Sequence, residues 1–332
     1  MTQEHGPDSA GAESPSVYIP MDRRLALAEG RTLSDRTQGT ALFADISGFT
    51  PLTEALAREL GPRRGSEEIT RHLNVVYDAI IAELHRYGGS VIGFSGDAIT
   101  CWFDGDDGRK ATTTGLAMQT AIKPFTKIVL PSGRTMGLTM KVAVTAGPAR
   151  RFVVGDPNYW VVDVLAGMTL DTLASVERHA VGGEVVLDET TCTGLGQAVL
   201  VKAWREDAEK RVRFAIVEGL LSTVEPAPWP PVDEDMLSEQ LVKPWLLPPV
   251  YERLRRGLGE FVAELRPTVA LFLAFTGINF DVDDHAGDKL DTFIRQVQTI
   301  LAHYDGTLIP VSYTHLRAHE TDSYLVCRLL LE

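Results

Sequence analysis

Apolar positions along this chain follow two periods, and the switches between them mark its elements. Residues 40–46 (TALFADI) are a short, mostly apolar run ending at Ser47-Gly48, which predicts a strand closed by a breaker. A helix is predicted from about Thr50, its cap, with Pro51 in the first turn. Within residues 66–87, Leu73, Val76, Tyr77, Ile80 and Leu84 recur at three- and four-residue steps. That spacing predicts a second helix with one buried face, stopped by Gly88-Gly89. Residues 90–94 and 98–103 read as two strands of a hairpin around Ser95-Gly96-Asp97. A helix at 109–125, a long strand at 138–145 and a return strand at 151–155 follow. Next come a helix near 164–179, a strand at 184–187 and a last strand at 208–218. This order, strand–helix–strand–strand–helix–strand, predicts the α+β class: a ferredoxin-like βαββαβ antiparallel sheet covered by helices on one face.

The pattern then starts again. Pro-rich residues 226–231 (PAPWPP) and Asp233-Glu234-Asp235 mark a linker, and residues 246–265 predict an apolar-faced helix. Beyond it, Ala270-Leu271-Phe272 through Gly277 parallels Ala41-Leu42-Phe43 through Gly48. Leu290, Ile294, Val297, Leu301 and Tyr304 parallel Leu73, Tyr77, Ile80, Leu84 and Tyr87, and Gly306 parallels Gly89. The second copy is shorter between strand and helix, a surface-loop change. Such self-similarity implies a duplicated domain. The expected division is a disordered tail and lead-in at 1–35, a first domain at 36–219, a linker and helix at 220–266, and a truncated second copy at 267–311. Residues 312–332 carry none of the expected hairpin pattern. They resemble a tail read through adapter or vector DNA, and are expected to be non-native, with the gene cut inside the second copy.

Composition narrows the partners. The 332 residues carry a formal net charge of -13, which disfavours nucleic acid or an anionic membrane as a partner recognised through bulk charge. No apolar run approaches the length of a membrane span and the N-terminus lacks a secretory pattern, so the expected location is cytoplasmic. Cys101, Cys192 and Cys327 are too few and too scattered for a disulfide framework or a zinc site.

Two carboxylates are the candidates for chemistry. Asp45 ends the first strand ahead of a glycine turn and a helix N-terminus, and Asp97 sits on the tip of a hairpin expected beside that strand. Two aspartates at one sheet end suit a hard divalent cation completed by substrate phosphates, and the loop from Ile46 to Thr50 offers backbone N–H groups to a polyphosphate. Two such cations suit displacement at phosphorus. Either aspartate alone is served equally well by capping or turn chemistry.

Both belong to longer strings. Phe43-Ala44-Asp45-Ile46-Ser47-Gly48-Phe49-Thr50, with Gly88-Gly89 and then Phe94-Ser95-Gly96-Asp97-Ala98, resembles a class III nucleotidyl cyclase catalytic domain. The second copy resembles the second catalytic domain of soluble adenylyl cyclase-like tandem proteins. The resemblance implies conversion of a nucleoside triphosphate, most often ATP, to a 3′,5′-cyclic nucleotide and pyrophosphate. In that reaction the ribose 3′-hydroxyl attacks the α-phosphorus, and the cofactors are two ions of Mg²⁺ or Mn²⁺. It implies that Asp45, Asp97 and the Ile46 carbonyl hold the ions, while Ser47, Gly48, Phe49, Thr50 and Gly96 lie against the triphosphate. It also implies a partner, a second cyclase domain in cis or a dimer in trans.

The departures from the family pattern are specific. Where a homodimeric domain carries an Asn and an Arg, Gly167 and Asp171 stand; where it carries a base-reading Lys, Gly93 stands. In the second copy Ala274 replaces Asp45, and Pro310 falls near the base-reading position. The first domain therefore resembles a half that supplies cations only, and this fragment alone is expected to be inactive. The alternative is a catalytically silent cyclase-homology module for dimerisation or nucleotide sensing. A diguanylate cyclase would need a Gly-Gly-Asp/Glu-Glu-Phe hairpin, which Ser95-Gly96-Asp97-Ala98 does not give. Arg150-Arg151 reads as a solvated strand edge, and His315, His319 and Glu320 as an accidental grouping.

Overall fold

The computed structural model describes residues 14–257, 268–304, 306–310 and 323–330. Strand β1 (Arg36–Ser47) is the axis of the main sheet. It pairs antiparallel with β3 (Ala98–Asp104) from Gly39 opposite Asp104 to Asp45 opposite Ala98. On its other side it pairs with β6 (Thr139–Val154) from Arg36 opposite Arg150 to Ser47 opposite Thr139. Outside β3 lies β2 (Ser90–Ser95). Outside β6 lie β8 (Val185–Asp188), which pairs parallel with it, and the edge hairpin of β9 (Val199–Asp207) and β10 (Val212–Leu220). A separate two-stranded ribbon, β4 (Ile128–Val129) and β5 (Thr135–Met136), lies apart from this sheet.

The two-residue period of β1 divides the core. Leu42, Ala44 and Ile46 face α2 (Phe49–Leu60), α3 (Pro62–Arg86) and α4 (Arg109–Ala121). Ala41 and Phe43 face the other way, against Leu170, Leu173 and Val176 of α5 (Met168–Arg178). Helices thus cover both faces of the first copy, not one. Backbones approach closely at Gly39, where an added Cβ would lie 2.3 Å from the Phe103 carbonyl oxygen and 2.6 Å from the Trp102 ring. Gly39→Ala is expected to cost about 1–3 kcal/mol through overpacking, read as a lower urea midpoint at unchanged slope. An unchanged midpoint would mean that the β1–β3 contact relaxes freely.

Three expectations about elements are corrected. The strands expected at 138–145 and 151–155 are one, β6, because Pro148 falls where the sheet can spare an N–H. It lies between the stretch paired with β8 (Val142–Val144) and the stretch paired with β7 (Val162–Ala166, opposite Arg150–Val154), and the Thr169 hydroxyl donates to its carbonyl oxygen at 2.6 Å. The helix expected from about 164 begins only at Met168, after β7 and the Gly167 break at φ 111°. The strand expected at 208–218 is the second arm of a hairpin whose turn holds Arg211 at φ 55°. Its first arm, β9, was hidden because an exposed edge strand carrying Lys202, Arg205, Glu206 and Asp207 shows little apolar alternation.

Flanking segments close over the first copy. α1 (Met21–Ala28) lies in the lead-in. Next to it, Ile19 joins an apolar cluster with Leu237, Val242, Leu246, Tyr251 and Leu254 of the linker, which includes α7 (Glu239–Val242) and α8 (Pro248–Arg255). The remainder of the helix expected at 246–265 falls largely outside the described residues. So do residues 1–13 of the expected tail, together with His315, His319 and Glu320.

Within the expected second copy lie β11 (Thr268–Phe275), α9 (Ala286–Ala302) and β12 (Gly306–Pro310); β13 (Ser323–Leu330) falls in the stretch from which no hairpin pattern was expected, and forms a paired strand all the same. β13 lies between β11 and β12, as β3 lies between β1 and β2. α9 packs on β6 through Phe152 and Val154, with Gly287 directly over the Phe152 ring. Among the described residues no helix is long and apolar enough to cross a membrane.

Candidate active site

Both sequence-predicted aspartates arrive at one end of the sheet. Asp45 is near the end of β1, opposite Ala98, so the Gly96-Asp97 turn that opens β3 lies alongside it. The Ile46 amide donates to the Asp97 carbonyl oxygen at 3.1 Å and ties the turn to the strand. Tyr77 of α3 braces the same turn: its hydroxyl donates to the Gly96 carbonyl at 3.3 Å, and its ring meets Phe94 edge-on at 5.5 Å. Burial first, then the negative charges of Asp97 and Asp45, push the Tyr77 phenol well above its ordinary pKa. The phenol therefore stays a neutral donor.

The five residues expected under a triphosphate divide by role. Gly48, at φ 110°, sits where a Cβ would lie 2.7 Å from the Gly137 carbonyl oxygen, so a glycine is required there. α2 starts at Phe49 with no side-chain cap, which leaves its first-turn N–H groups for another acceptor. The Phe49 side chain itself is core, whereas Ser47, Thr50 and Gly96 are exposed.

Two further side chains, not foreseen, complete the electrostatics. Lys141 stands directly opposite Asp45 on β6, and its Nζ lies 3.1 Å from Asp45 Oδ2 and 2.5 Å from Glu177 Oε1 of α5. Burial works against the ammonium, but Glu177, then Asp45, outweigh it and hold its pKa above the ordinary value. The signal for Lys141 was a lone basic residue alternating with Met140, Val142 and Val144 in a central strand. Glu177 had no such signal, because an acidic residue late in an amphipathic helix reads as solvated surface.

The donor set expected from the sequence is all oxygen: two carboxylates and the Ile46 carbonyl. That chemistry fits Mg²⁺ or Mn²⁺, which accept one or two carboxylates and take the rest from phosphate and water. Among the described residues no group of three or more His, Cys, Asp or Glu forms a self-sufficient metal cage.

The departures also have structural accounts. A Cβ at Gly93 would meet nothing within 4 Å, so a lysine there is missing rather than excluded. At Gly167 a Cβ would lie 2.8 Å from Asp281 Oδ1 of the second copy, which accepts from the Met168 amide at 3.0 Å. Arg150, 3% exposed, pairs bidentately with Asp35 at 2.7 Å and donates to the Phe280 and Asp283 carbonyls at 2.9 and 3.1 Å. Arg151 is equally buried, so neither arginine is the solvated edge expected. The loop after β11, counterpart of the Asp45 loop, is therefore seated on the N-terminus of the first copy's α5.

The sequence is 23% identical to adenylate cyclase type 10 of Rattus norvegicus over 185 residues, 54% of this chain and 11% of that protein. To the Homo sapiens protein of the same name it is 23% identical over 158 residues, 47% of this chain and 10% of that protein. The chain thus matches about a tenth of the length of these relatives. No family model matches it. Among solved structures, the guanylyl cyclase Cya2 aligns at TM-score 0.48 and 24% identity, over 57% of this chain and 95% of that one. The adenylyl cyclase CyaB from P. aeruginosa aligns at TM-score 0.45 and 20% identity, over 55% and 94%. Over about half of its length the chain is thus similar in sequence to adenylate cyclases, in line with the class III cyclase resemblance read from its strings.

Proposed function

We propose that this chain is the cation-bearing half of a nucleotidyl cyclase that converts a nucleoside triphosphate, with ATP the expected one, to a 3′,5′-cyclic nucleotide and pyrophosphate. The observation that carries the reading is the convergence of Asp45 and Asp97 at one sheet end, beside the uncapped start of α2. Asp45, Asp97 and the Ile46 carbonyl would hold two Mg²⁺ or Mn²⁺ ions, which supply charge neutralisation at the phosphates when bound. Ser47, Gly48, Phe49, Thr50 and Gly96 would cradle the triphosphate through their backbone.

The reaction needs a second domain in this reading. The second copy's loop meets the first copy's α5 through Asp281, so by the same relation the Asp45 loop would meet the second copy's counterpart of α5. That counterpart, or one from another chain, would bring the groups that Gly93 and Gly167 do not supply. The same two glycines favour a second reading, a silent module for dimerisation or nucleotide sensing.

Wild-type chain is expected to bind a non-hydrolysable ATP analogue weakly and only with Mg²⁺ or Mn²⁺, and Asp45→Ala is expected to weaken that binding at least about tenfold. Titration calorimetry checks this. Equal binding by the variant would remove the metal assignment, and metal-independent binding would favour the sensing module.

A further inference from the structure

We propose that Lys141 is an internal competitor for Asp45: its ammonium neutralises the carboxylate and moves wholly onto Glu177 when a divalent cation binds. The inference rests on the reading of Asp45 as a cation ligand. It starts from a register fact, since Asp45 and Lys141 face each other across β1 and β6 and cannot avoid contact. The side chains of Asp45, Lys141 and Glu177 are 11%, 21% and 6% exposed, so water screens the trio poorly. A cation arriving at Asp45 Oδ2 meets the ammonium 3.1 Å away, and two positive charges cannot share that oxygen cheaply. Glu177, already at 2.5 Å, gives the ammonium somewhere to remain without re-entering water.

This arrangement separates two roles. Lys141 lowers affinity for the cation and keeps Asp45 from standing as a buried, uncompensated charge beside Asp97. Glu177 is a positioning residue that acts through Lys141, because it holds the ammonium clear of Asp45. Removing the lysine should therefore tighten cation binding, and neutralising the glutamate should loosen it. A general change in local charge would predict the glutamate effect with or without the lysine. The proposed pairing predicts it only with the lysine present.

The test is Mn²⁺ binding to the full chain, followed by loss of the free-ion electron paramagnetic resonance signal. Circular dichroism melts confirm that each variant is folded. Lys141→Met is expected to bind roughly tenfold more tightly than wild type, and Glu177→Gln roughly tenfold more weakly. Lys141→Arg should stay near wild type, and Glu177→Gln should have little further effect in the Lys141→Met background. Asp45→Asn controls for the site itself. Loss of binding in Asp45→Asn, with Lys141→Met no tighter than wild type, overturns this inference and leaves the metal reading standing. Persistence of the Glu177→Gln effect in the Lys141→Met background also overturns it. Absence of Mn²⁺ binding in both wild type and Lys141→Met overturns both readings.

Discussion

Arg151→Ala is expected to destabilise the first copy by about 3–5 kcal/mol, because it leaves the buried Asp22 carboxylate without a cation and Asp163 with Arg23 alone. The Arg151 guanidinium, 3% exposed, donates to both oxygens of Asp163 at 2.8 Å and to both oxygens of Asp22, at 3.0 Å for Oδ1. Arg23 adds a bond to Asp163 at 2.9 Å, and the Asp22 amide donates to Ser90 Oγ at 2.9 Å. Four side chains from α1, β6 and β7 are thereby locked together, and Ser90 of β2 fixes the same helix. Burial alone would raise the Asp22 pKa, but Arg151 overrides it and holds the carboxyl below its ordinary value. A depressed folded-state pKa contributes stability above the unfolded value near 3.8, and that stability is lost as pH falls through the folded value. In the variant only hydrogen bonds with the Arg23 amide and Ser90 are left to oppose burial, Asp22 resists ionisation, and the protein is penalised as pH rises above about 4. The deficit against wild type should thus be largest at pH 7 and shrink toward pH 4. Urea unfolding at the two pH values measures it, and an equal deficit at both would mean that cavity formation, not charge, dominates.

This network was out of reach of the sequence for a physical reason. Asp22, Arg23, Arg151 and Asp163 are dispersed over the chain, and charged residues in isolation read as surface. Only the β6–β7 pairing, itself obscured by the Gly147-Pro148 break, brings Arg151 opposite Leu165 and within reach of Asp163. By contrast Asp45 and Asp97 were legible because the glycines beside them impose turns at the ends of short apolar runs. Those runs fix both the pairing of β1 with β3 and the end at which the carboxylates meet. The repeated helix spacing was legible on the same grounds, since α9 buries Leu290, Ile294, Val297 and Leu301 at the steps read from the sequence. How the copies meet was not legible. It depends on Asp281 and on backbone carbonyls at 280 and 283, which carry no pattern.

That meeting of the copies sets the last expectation: the chain by itself should form almost no cyclic nucleotide from Mn²⁺ and ATP. Cyclisation needs the 3′-hydroxyl held in line with the α-phosphorus and donors aimed at the charge that develops there. In the proposed function Asp45 and Asp97 address only the cations. α5, the helix that would carry transition-state donors in a self-sufficient homodimer, presents Gly167 at its start, and Asp281 of the second copy occupies the space beside it. The position expected to read the base is Gly93, where an added Cβ would meet nothing within 4 Å but no side chain stands. Removing a single aligned donor typically costs roughly 10²–10³ in rate, and in the proposed function the chain lacks more than one. Turnover should therefore lie at least about 10²-fold below that of a complex that supplies a complementary half. Accumulation of cyclic AMP, measured for the chain alone and after addition of an intact second domain, distinguishes the cases. Turnover by the chain alone that Asp97→Ala abolishes would mean that the two aspartates work without a partner's donors, and the division of labour between the copies would have to be abandoned.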